Sequence, residues 1–200
     1  MAHQRIVGLY EENAAAWDEA RGDLHPSERA SIARFAAEVR PGGRVLDLGC
    51  GKGAPVGAYL LGRGLAVTGV DTSPSLIALA RARLPAGEWL VGDMRTLDLG
   101  RRFDGILAWY SFFHLHFDAQ RAMFARFAAH AAAGATLCFA AGPEHGEAIG
   151  EWRGEPLYHA SLSQAEYRAL LNEHGFSVLS APESAPAAEG PFVWLARRRG

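Results

Sequence analysis

A buried acid followed by a glycine-rich turn is the feature of this sequence with the clearest chemical meaning. The stretch RVLDLGCGKG, residues 44–53, sets Asp47 inside an apolar run and then repeats glycine at Gly49, Gly51 and Gly53. A turn without Cβ atoms lets a ligand lie against the backbone, and the helix expected after it presents free N–H groups. Phosphate, dinucleotide and sulfonium-nucleoside sites all use such turns, so the glycines alone leave these ligand classes open.

Two further acids stand where the next two apolar runs end. Asp71 closes LAVTGVD, 22 residues after Gly49, and a carboxylate at the tip of a second strand suits the two hydroxyls of a ribose. Asp93 follows the third run, in VGDM. It could accept a hydrogen bond from an exocyclic amine such as adenine N6, while the Met94 backbone N–H could read a ring nitrogen. Three successive strand ends therefore each offer a group suited to one adenosine.

Apolar runs alternating with helical stretches must bring these groups together. Helix boundaries are marked by Ser73 before a proline, by the capping box from Ser163 to Glu166, and by Gly175 at a helix end. Almost continuously apolar strands alternating with helices predict a parallel sheet covered on both faces. The strand candidates are 45–48, 66–70, 88–91, 103–109, 135–140, 176–180 and 191–196.

Two helices are expected before the first strand. Tyr10, Trp17 and Arg21 share one face of a helix predicted over 4–21, and a second helix is predicted over 26–39. We expect one domain over residues 1–200. Its predicted parts are an N-terminal helical cap (1–40), a cofactor-binding core (43–141), a candidate lid (142–160), and a C-terminal helix and strand pair (161–200). The lid is proposed because residues 142–159 are the one long segment expected to be irregular.

Composition restricts the class of protein. Apolar content of 49%, charged content of 21% and a net charge of −2 indicate a globular chain without the basic footprint of a nucleic-acid binder. Glu11 and Glu12 argue against a secretory leader, and no apolar run reaches membrane-spanning length. Cys50 and Cys138 lie far apart, which predicts reduced thiols and a cytoplasmic location. The basic run 197–199 is expected to be solvated.

The motifs VLDLGCGKG, GVD and GDM, in this order and spacing and followed by FDGILAWYSFFHL, resemble the class I S-adenosylmethionine-dependent methyltransferases. The resemblance is strong over residues 43–141 and weaker towards both ends. It implies an α/β fold: a Rossmann-like, doubly wound, seven-stranded sheet that is mostly parallel, with the last strand antiparallel and inserted beside the sixth, and an N-terminal helical cap.

The resemblance also implies roles in binding S-adenosyl-L-methionine. Tyr10 and Arg21 resemble residues that close over the methionine carboxylate. The adenosine would be held by Asp71 on the ribose, and Thr72, Asp93 and Met94 around the adenine. The residues implied at the methionine portion are Gly49, Cys50 and Gly51 beneath it, Asp47 through water to its amino group, and a backbone carbonyl near Ala108 or Trp109.

Two other functions stay open on the sequence. The nicotinamide fingerprint is GxGxxG, whereas here the third glycine, Gly53, comes one position early, Ala54 stands in its place, and that fold's first strand rarely carries an acid such as Asp47. A non-catalytic protein that binds S-adenosylmethionine or its demethylated product is the second alternative. Intact acids and glycines indicate binding but do not prove turnover.

Histidines supply the candidate groups for proton transfer. His114 follows the fourth strand, near the expected position of the methyl group, and is a candidate general base. His145, Tyr158 and His159 on the candidate lid are others. No carboxylate or cysteine at ligand spacing supports a metal pair of His114 and His116, so no metal is expected. Methyl transfer mainly requires alignment, and a base is needed only if the acceptor must lose a proton first.

The methyl acceptor is expected to be a small molecule. The segment after the fourth strand lacks the Asn-Pro-Pro-Tyr pattern that enzymes methylating amide or base nitrogens often resemble there, and no added substrate domain is expected. Acceptor atom (O, N or C) and assembly (monomer or homodimer) stay open. The aromatic residues expected to line a water-poor cavity are Trp109, Tyr110, Phe112, Phe113, Trp152 and Tyr158.

Overall fold

Strands and helices alternate along most of the chain in the structure, a computed structural model that describes residues 2–182 and 192–200. Within these residues the helices are α1 (Ala2–Glu12), α2 (Ala14–Ala20), α3 (Pro26–Ala37), α4 (Val56–Gly62), α5 (Pro74–Arg83), α6 (Phe117–His130) and α7 (Gln164–Glu173). The strands are β1 (Arg44–Leu48), β2 (Ala66–Asp71), β3 (Glu88–Val91), β4 (Phe103–Ala108), β5 (Ala131–Ala141), β6 (Gly146–Trp152), β7 (Glu155–Ser161), β8 (Phe176–Ser180) and β9 (Phe192–Arg198). Pro191, the first residue of the last predicted strand, lies outside the described residues.

The main sheet has seven strands in the order β3-β2-β1-β4-β5-β9-β8. Strands β1 to β5 pair in parallel, and β9 is antiparallel to both of its neighbours, β5 and β8. The predicted fold is therefore confirmed, including the inserted antiparallel strand. The chain leaves β1 towards β2 on one side and reaches β4 on the other, and this reversal opens a crevice at the carboxyl ends of the strands.

Helices cover both faces of this sheet, which explains why the strands are apolar on both sides. In β1, Val45 packs with Phe35 of α3 on one face, while Leu46 joins Phe124 of α6 on the other. Successive side chains of a strand point to opposite faces, so both must be apolar when both faces are covered. No helix of the described residues is long and apolar enough to cross a membrane.

The predicted helix boundaries are confirmed where a side-chain cap marks them. The Ser73 hydroxyl accepts the Leu76 N–H at 3.1 Å, and the Ser163 hydroxyl accepts the Glu166 N–H at 3.2 Å. Gly175, at φ +77°, follows the last turn of α7 in the left-handed region.

The predicted helix over 4–21 is in fact two helices. Asn13 separates α1 from α2, and its side-chain Nδ2 donates to the Leu9 carbonyl at 2.9 Å. An asparagine that bonds its own backbone competes with the helical hydrogen bonds at that point. The second predicted helix, over 26–39, ends at Ala37.

Most of the segment 142–159 belongs to a β-hairpin that spans residues 146–161, so the expectation of an irregular stretch is wrong except for residues 142–145. Strands β6 and β7 pair antiparallel, with Ile149 opposite Tyr158, around a turn in which Arg153 and Gly154 have φ of +54° and +83°. Two consecutive left-handed residues suit a tight hairpin turn. Four glycines hide the alternating pattern in the sequence. A lid role for 142–160 stays a prediction.

The arginines near the end of the chain are bound to the fold, so the expectation of a solvated run at 197–199 is also wrong. Arg197 pairs with Glu38, and Arg198 donates to the Gly175 carbonyl at 3.0 Å. These side chains join β9 to helices on both sides of it.

Candidate functional site

A cavity of about 610 Å³ lies at the carboxyl ends of the central strands, beneath α1 and α2. Its walls come from the loops after β1 to β4, from the N-terminal helices, and from the turn before α6. The residues that line it include Tyr10, Trp17, Arg21, Gly49, Cys50, Gly51, Lys52, Asp71, Thr72, Asp93, Met94, Arg95, Trp109, Tyr110, Ser111, His114 and His116.

The three glycines after β1 face three different surroundings. All have positive φ, but only Gly51 has open space where a Cβ would stand. A Cβ at Gly49 would overlap the side chain of Ser111, and one at Gly53 would lie 2.9 Å from the Trp89 ring. Only Gly51 therefore offers bare backbone to a ligand, whereas Gly49 and Gly53 make room for the protein's own side chains.

Asp71 joins the glycine turn to the end of β2. Its carboxylate accepts the Gly51 N–H at 2.8 Å and the Ser73 N–H at 2.9 Å. Burial raises the pKa of Asp71, and these hydrogen bonds oppose the rise without cancelling it. The Thr72 backbone also bonds this carboxylate, so three of its roughly four lone-pair sites are used and one remains to accept from a ligand hydroxyl.

Asp47 lies behind the cavity rather than on its wall. Its residue is 2% exposed within β1, and burial, with a further contribution from the charge of Asp71, raises its pKa to about 7. The Cys50 thiol is also buried, and burial together with the charges of Asp47 and Asp71 raises its pKa. Asp71 on the wall and Asp47 behind it are thus two carboxyl groups that are costly to ionise together.

Asp93 shares its carboxylate with Arg95. The Arg95 Nε donates to both carboxylate oxygens at 2.9 Å. Burial raises the pKa of Asp93, but the bonds from Arg95 outweigh it and the net shift is downward. Asp93 is therefore ionised at neutral pH, and the Arg95 backbone N–H also bonds its carboxylate, so a ligand amine would have to replace one of the Arg95 bonds. Met94 and Thr72 lie beside Asp93 on the wall.

The N-terminal helices close the cavity with aromatic and cationic side chains. Tyr10 and Trp17 meet edge to face with ring centroids 5.1 Å apart. The Arg21 guanidinium forms a fork with Glu28 at 3.1 and 3.4 Å and lies 5.9 Å from the centre of the Tyr110 ring.

His114 is held in one tautomer by two hydrogen bonds. Its Nδ1 lies 2.7 Å from the Tyr158 carbonyl oxygen, which can only accept, so Nδ1 carries the hydrogen. The Tyr10 hydroxyl, 2.9 Å from Nε2, must then donate to that nitrogen. Residue His114 is 7% exposed, and burial, reinforced by the neighbouring His159, lowers its pKa to about 4. The ring is neutral near pH 7 and is a weak base.

The structure brings most of the predicted site residues together. Among the predicted cofactor-binding residues, Asp47 and Ala108 are the exceptions, because both are buried behind the wall. The other candidate bases, His145, Tyr158 and His159, are not among the lining residues. Of the expected aromatic lining, Trp109 and Tyr110 lie on the wall, whereas Phe112 is fully buried in the core. The predicted residues on the wall are Tyr10, Arg21, Gly49, Cys50, Gly51, Asp71, Thr72, Asp93, Met94, Trp109 and His114. Their individual binding roles stay predictions.

Three residues that organise the site were missed by sequence reasoning. Ser111 donates from its hydroxyl to the Leu48 carbonyl at 2.6 Å and ties the end of β4 to that of β1. Glu11 of α1 accepts the Ser75 hydroxyl at 2.6 Å at the start of α5. The Lys52 ammonium group donates to the carbonyls of Asp18 and Arg21 at 2.6 and 2.8 Å. Each of these contacts joins distant parts of the chain, and no local pattern signals it.

The charge of the cavity suits a cationic ligand. Burial raises the pKa of both Asp47 and Asp71, and no lysine or arginine of the described residues forms an ion pair with either. The cations on the wall are already paired: Arg21 with Glu28, Lys52 with Asp18, and Arg95 with Asp93. A sulfonium or ammonium group is therefore favoured here over a pyrophosphate.

Comparison with known proteins agrees with this geometry. Residues 45–134 match the model of a family described as a methyltransferase domain. A dTDP-3-amino-3,6-dideoxy-alpha-D-glucopyranose N,N-dimethyltransferase from Streptomyces fradiae is 33% identical over 115 residues, which are 56% of this chain and 45% of that protein. The chain spans less than half the length of the curated relatives it matches.

Two solved structures share the fold. An amino pentose methyltransferase from Micromonospora echinaspora, with S-adenosylmethionine bound, superimposes with a TM-score of 0.71 at 23% identity, covering 92% of this chain and 95% of that one. The 1,6-didemethyltoxoflavin-N1-methyltransferase from Burkholderia thailandensis gives 0.72 at 23% identity, covering 99% and 87%.

Proposed function

We propose that the chain is a class I S-adenosylmethionine-dependent methyltransferase, as its motifs indicate, and that it transfers a methyl group from S-adenosyl-L-methionine to a small-molecule acceptor. One observation carries the proposal: Gly51, Asp71 and Asp93, from three successive strand ends, line a single cavity that is acidic at its base. When bound, S-adenosyl-L-methionine supplies an activated sulfonium methyl group.

Asp71 would hold the ribose hydroxyls and Asp93 the adenine amine. Both Asp93 carboxylate oxygens already accept bonds from Arg95, so Asp93 would have to exchange one of them for the amine. Tyr10 and Arg21 were both expected at the methionine carboxylate. The single phenolic hydrogen of Tyr10 is already donated to His114, which leaves Arg21 as the partner we assign to the carboxylate. To bind it, the guanidinium would share or exchange its fork with Glu28.

We propose that Tyr10 and His114 serve the methyl acceptor. With its hydrogen given to His114, the Tyr10 oxygen has lone pairs left to accept an N–H or O–H of the acceptor and so to orient its nucleophilic lone pair. A histidine whose pKa lies at about 4 is a poor base for an aliphatic hydroxyl. His114 is therefore a positioning residue, and an acceptor that is nucleophilic without a strong base is favoured.

An amine nitrogen is the acceptor atom that we propose. Neutral amines attack a sulfonium methyl without prior loss of a proton. Two of the similar proteins are, by name, an amino-sugar N,N-dimethyltransferase and an amino pentose methyltransferase. We also propose a cytoplasmic location, in keeping with the two free thiols of Cys50 and Cys138.

Calorimetric titration with S-adenosylmethionine, S-adenosylhomocysteine and NAD tests the cofactor assignment. Micromolar binding of the first two, and none of NAD, is expected; binding of NAD alone would contradict the proposal. Incubation with methyl-labelled S-adenosylmethionine and a panel of small amines and alcohols then tests turnover. Binding without any labelled product across the panel and cell-extract fractions would favour a non-catalytic binder.

Tyr10→Phe and His114→Asn test the acceptor side. Both variants are expected to lower kcat by about tenfold or more while S-adenosylhomocysteine affinity changes by less than about twofold, because one oriented hydrogen bond to the acceptor is lost. A loss confined to cofactor affinity would instead assign Tyr10 to the cofactor.

A further inference from the structure

Lys52 is the only lysine of the chain, and it stands inside the glycine turn between Gly51 and Gly53. Its residue is 7% exposed. A buried ammonium group needs partners for all three of its hydrogens, because an uncompensated charge in the interior is costly. The partners of Lys52 therefore indicate what the residue does.

All three partners lie at the end of α2. The Nζ atom of Lys52 donates to the Asp18 carbonyl at 2.6 Å and the Arg21 carbonyl at 2.8 Å, and it lies 2.9 Å from the Asp18 carboxylate. These carbonyls belong to the last turn of a helix, where the backbone has no internal donor and a cation is favourable. The three hydrogens of Lys52 are thereby used, and none is left for a ligand.

The segment that Lys52 holds carries part of the cavity wall. Trp17 and Arg21 both line the cavity, and their backbone lies directly before and within the bonded stretch. The described structure has one other polar anchor on Asp18, the exposed Arg83, whose guanidinium contacts the carboxylate at 2.5 and 2.7 Å. Arg83 does not reach the two carbonyls, so the position of the backbone over the glycine turn depends on Lys52.

We propose that Lys52 is a positioning residue that holds the Trp17–Arg21 segment over the amino-acid end of the ligand. The inference rests on the proposed function, since it needs a ligand whose amino acid lies above the glycine turn. Through Lys52, the turn beneath the ligand and the wall above it are one unit. Asp71, which would hold the ribose, bonds the turn at the Gly51 N–H, but the partners of the Lys52 ammonium group are Asp18 and Arg21 rather than Asp71 or Asp93. Lys52 thus favours ligands that carry the amino acid over the bare nucleoside.

Two ligands separate this role from a general structural one. S-adenosylhomocysteine carries the amino acid, and 5′-methylthioadenosine has the same thionucleoside without it. Lys52→Met keeps the aliphatic stem and removes the donors. We expect it to weaken S-adenosylhomocysteine binding by about tenfold or more, the equivalent of one charge-assisted hydrogen bond, and 5′-methylthioadenosine binding by less than about twofold. Arg83→Met, the matched control, should leave both affinities within about twofold because it removes an exposed ion pair.

The outcomes are distinguishable. Equal weakening of both ligands in Lys52→Met, or unchanged binding of S-adenosylhomocysteine, would overturn the positioning role alone. A wild-type protein that binds neither ligand would refute the proposed function and this inference with it. If Lys52→Met does not fold, acylation of Lys52 in the wild-type chain, read by peptide mass spectrometry, replaces it. S-adenosylhomocysteine should slow acylation at least about fivefold more than 5′-methylthioadenosine does, and equal protection would overturn the inference.

Discussion

The buried carboxyl group of Asp47 should make cofactor binding depend on pH just below neutrality. Burial, and to a smaller extent the charge of Asp71, raises its pKa to about 7 in the free protein. A ligand amino group bound nearby is positively charged and favours the ionised carboxylate. That amino group stays protonated below about pH 7, so the change in charge in this range belongs to the protein. Binding must therefore release a proton from Asp47.

The size of the effect follows from the pKa. A group with a pKa of about 7 is half ionised at pH 7 and about one-eleventh ionised at pH 6. If only the ionised form binds, affinity falls about fivefold between these values, or about 1 kcal/mol. The sign is fixed by the raised pKa: affinity is lost as pH falls. The pKa of Asp71 is also raised, so the observed midpoint belongs to the pair until one acid is removed.

Calorimetry with S-adenosylhomocysteine at pH 7 and pH 6 measures this directly, and two buffers of different protonation enthalpy count the protons released. The ligand 5′-methylthioadenosine, which lacks the amino group, is the control and should show no such slope. Asp47→Asn should remove the slope for S-adenosylhomocysteine. Equal affinity at both pH values with no proton release would refute the reasoning, and a slope retained in folded Asp47→Asn would assign the titration to another group.

Three further results are expected. Asp71→Ala should weaken S-adenosylhomocysteine binding by about 2–3 kcal/mol in titrations, because a charge-assisted hydrogen bond to the ribose is lost; unchanged affinity in a folded variant would contradict the ribose assignment. Gly53→Ala should lower the free energy of unfolding in urea by about 1–3 kcal/mol, since φ is +75° and the new Cβ would meet the ring of Trp89, and an unchanged midpoint would contradict that packing. The pKa of His114 is lowered from 6.5 to about 4 in the folded protein, so the unfolded chain takes up this proton at a higher pH. The free energy of unfolding of the wild type should therefore fall by about 2 kcal/mol more than that of His114→Asn between pH 7 and pH 4.5. Parallel urea curves for the two proteins at both pH values would exclude a neutral, buried His114.

The sheet and the strand-end groups could be predicted because their signals are local. A strand covered on both faces must be largely apolar, and β1 and β2 are so apart from Arg44 and Asp47 in β1 and Thr68 and Asp71 in β2. A turn that a ligand approaches needs glycine, and Asp71 and Asp93 follow their strands directly. Parallel strands then bring these ends to one edge without further information. The inserted antiparallel β9, in contrast, was expected only from the family resemblance.

What the sequence by itself determined, then, is the order of the elements and the identity of the groups at the strand ends. Tertiary structure decided which of those groups are free to act. In the folded protein the Tyr10 hydroxyl donates to His114, and the three hydrogens of the Lys52 ammonium group bond to the end of α2. Gly53 makes room for the Trp89 ring rather than for a ligand. The physical reason is that propensity and periodicity act between near neighbours, whereas hydrogen bonding and desolvation depend on contacts between residues far apart in the chain.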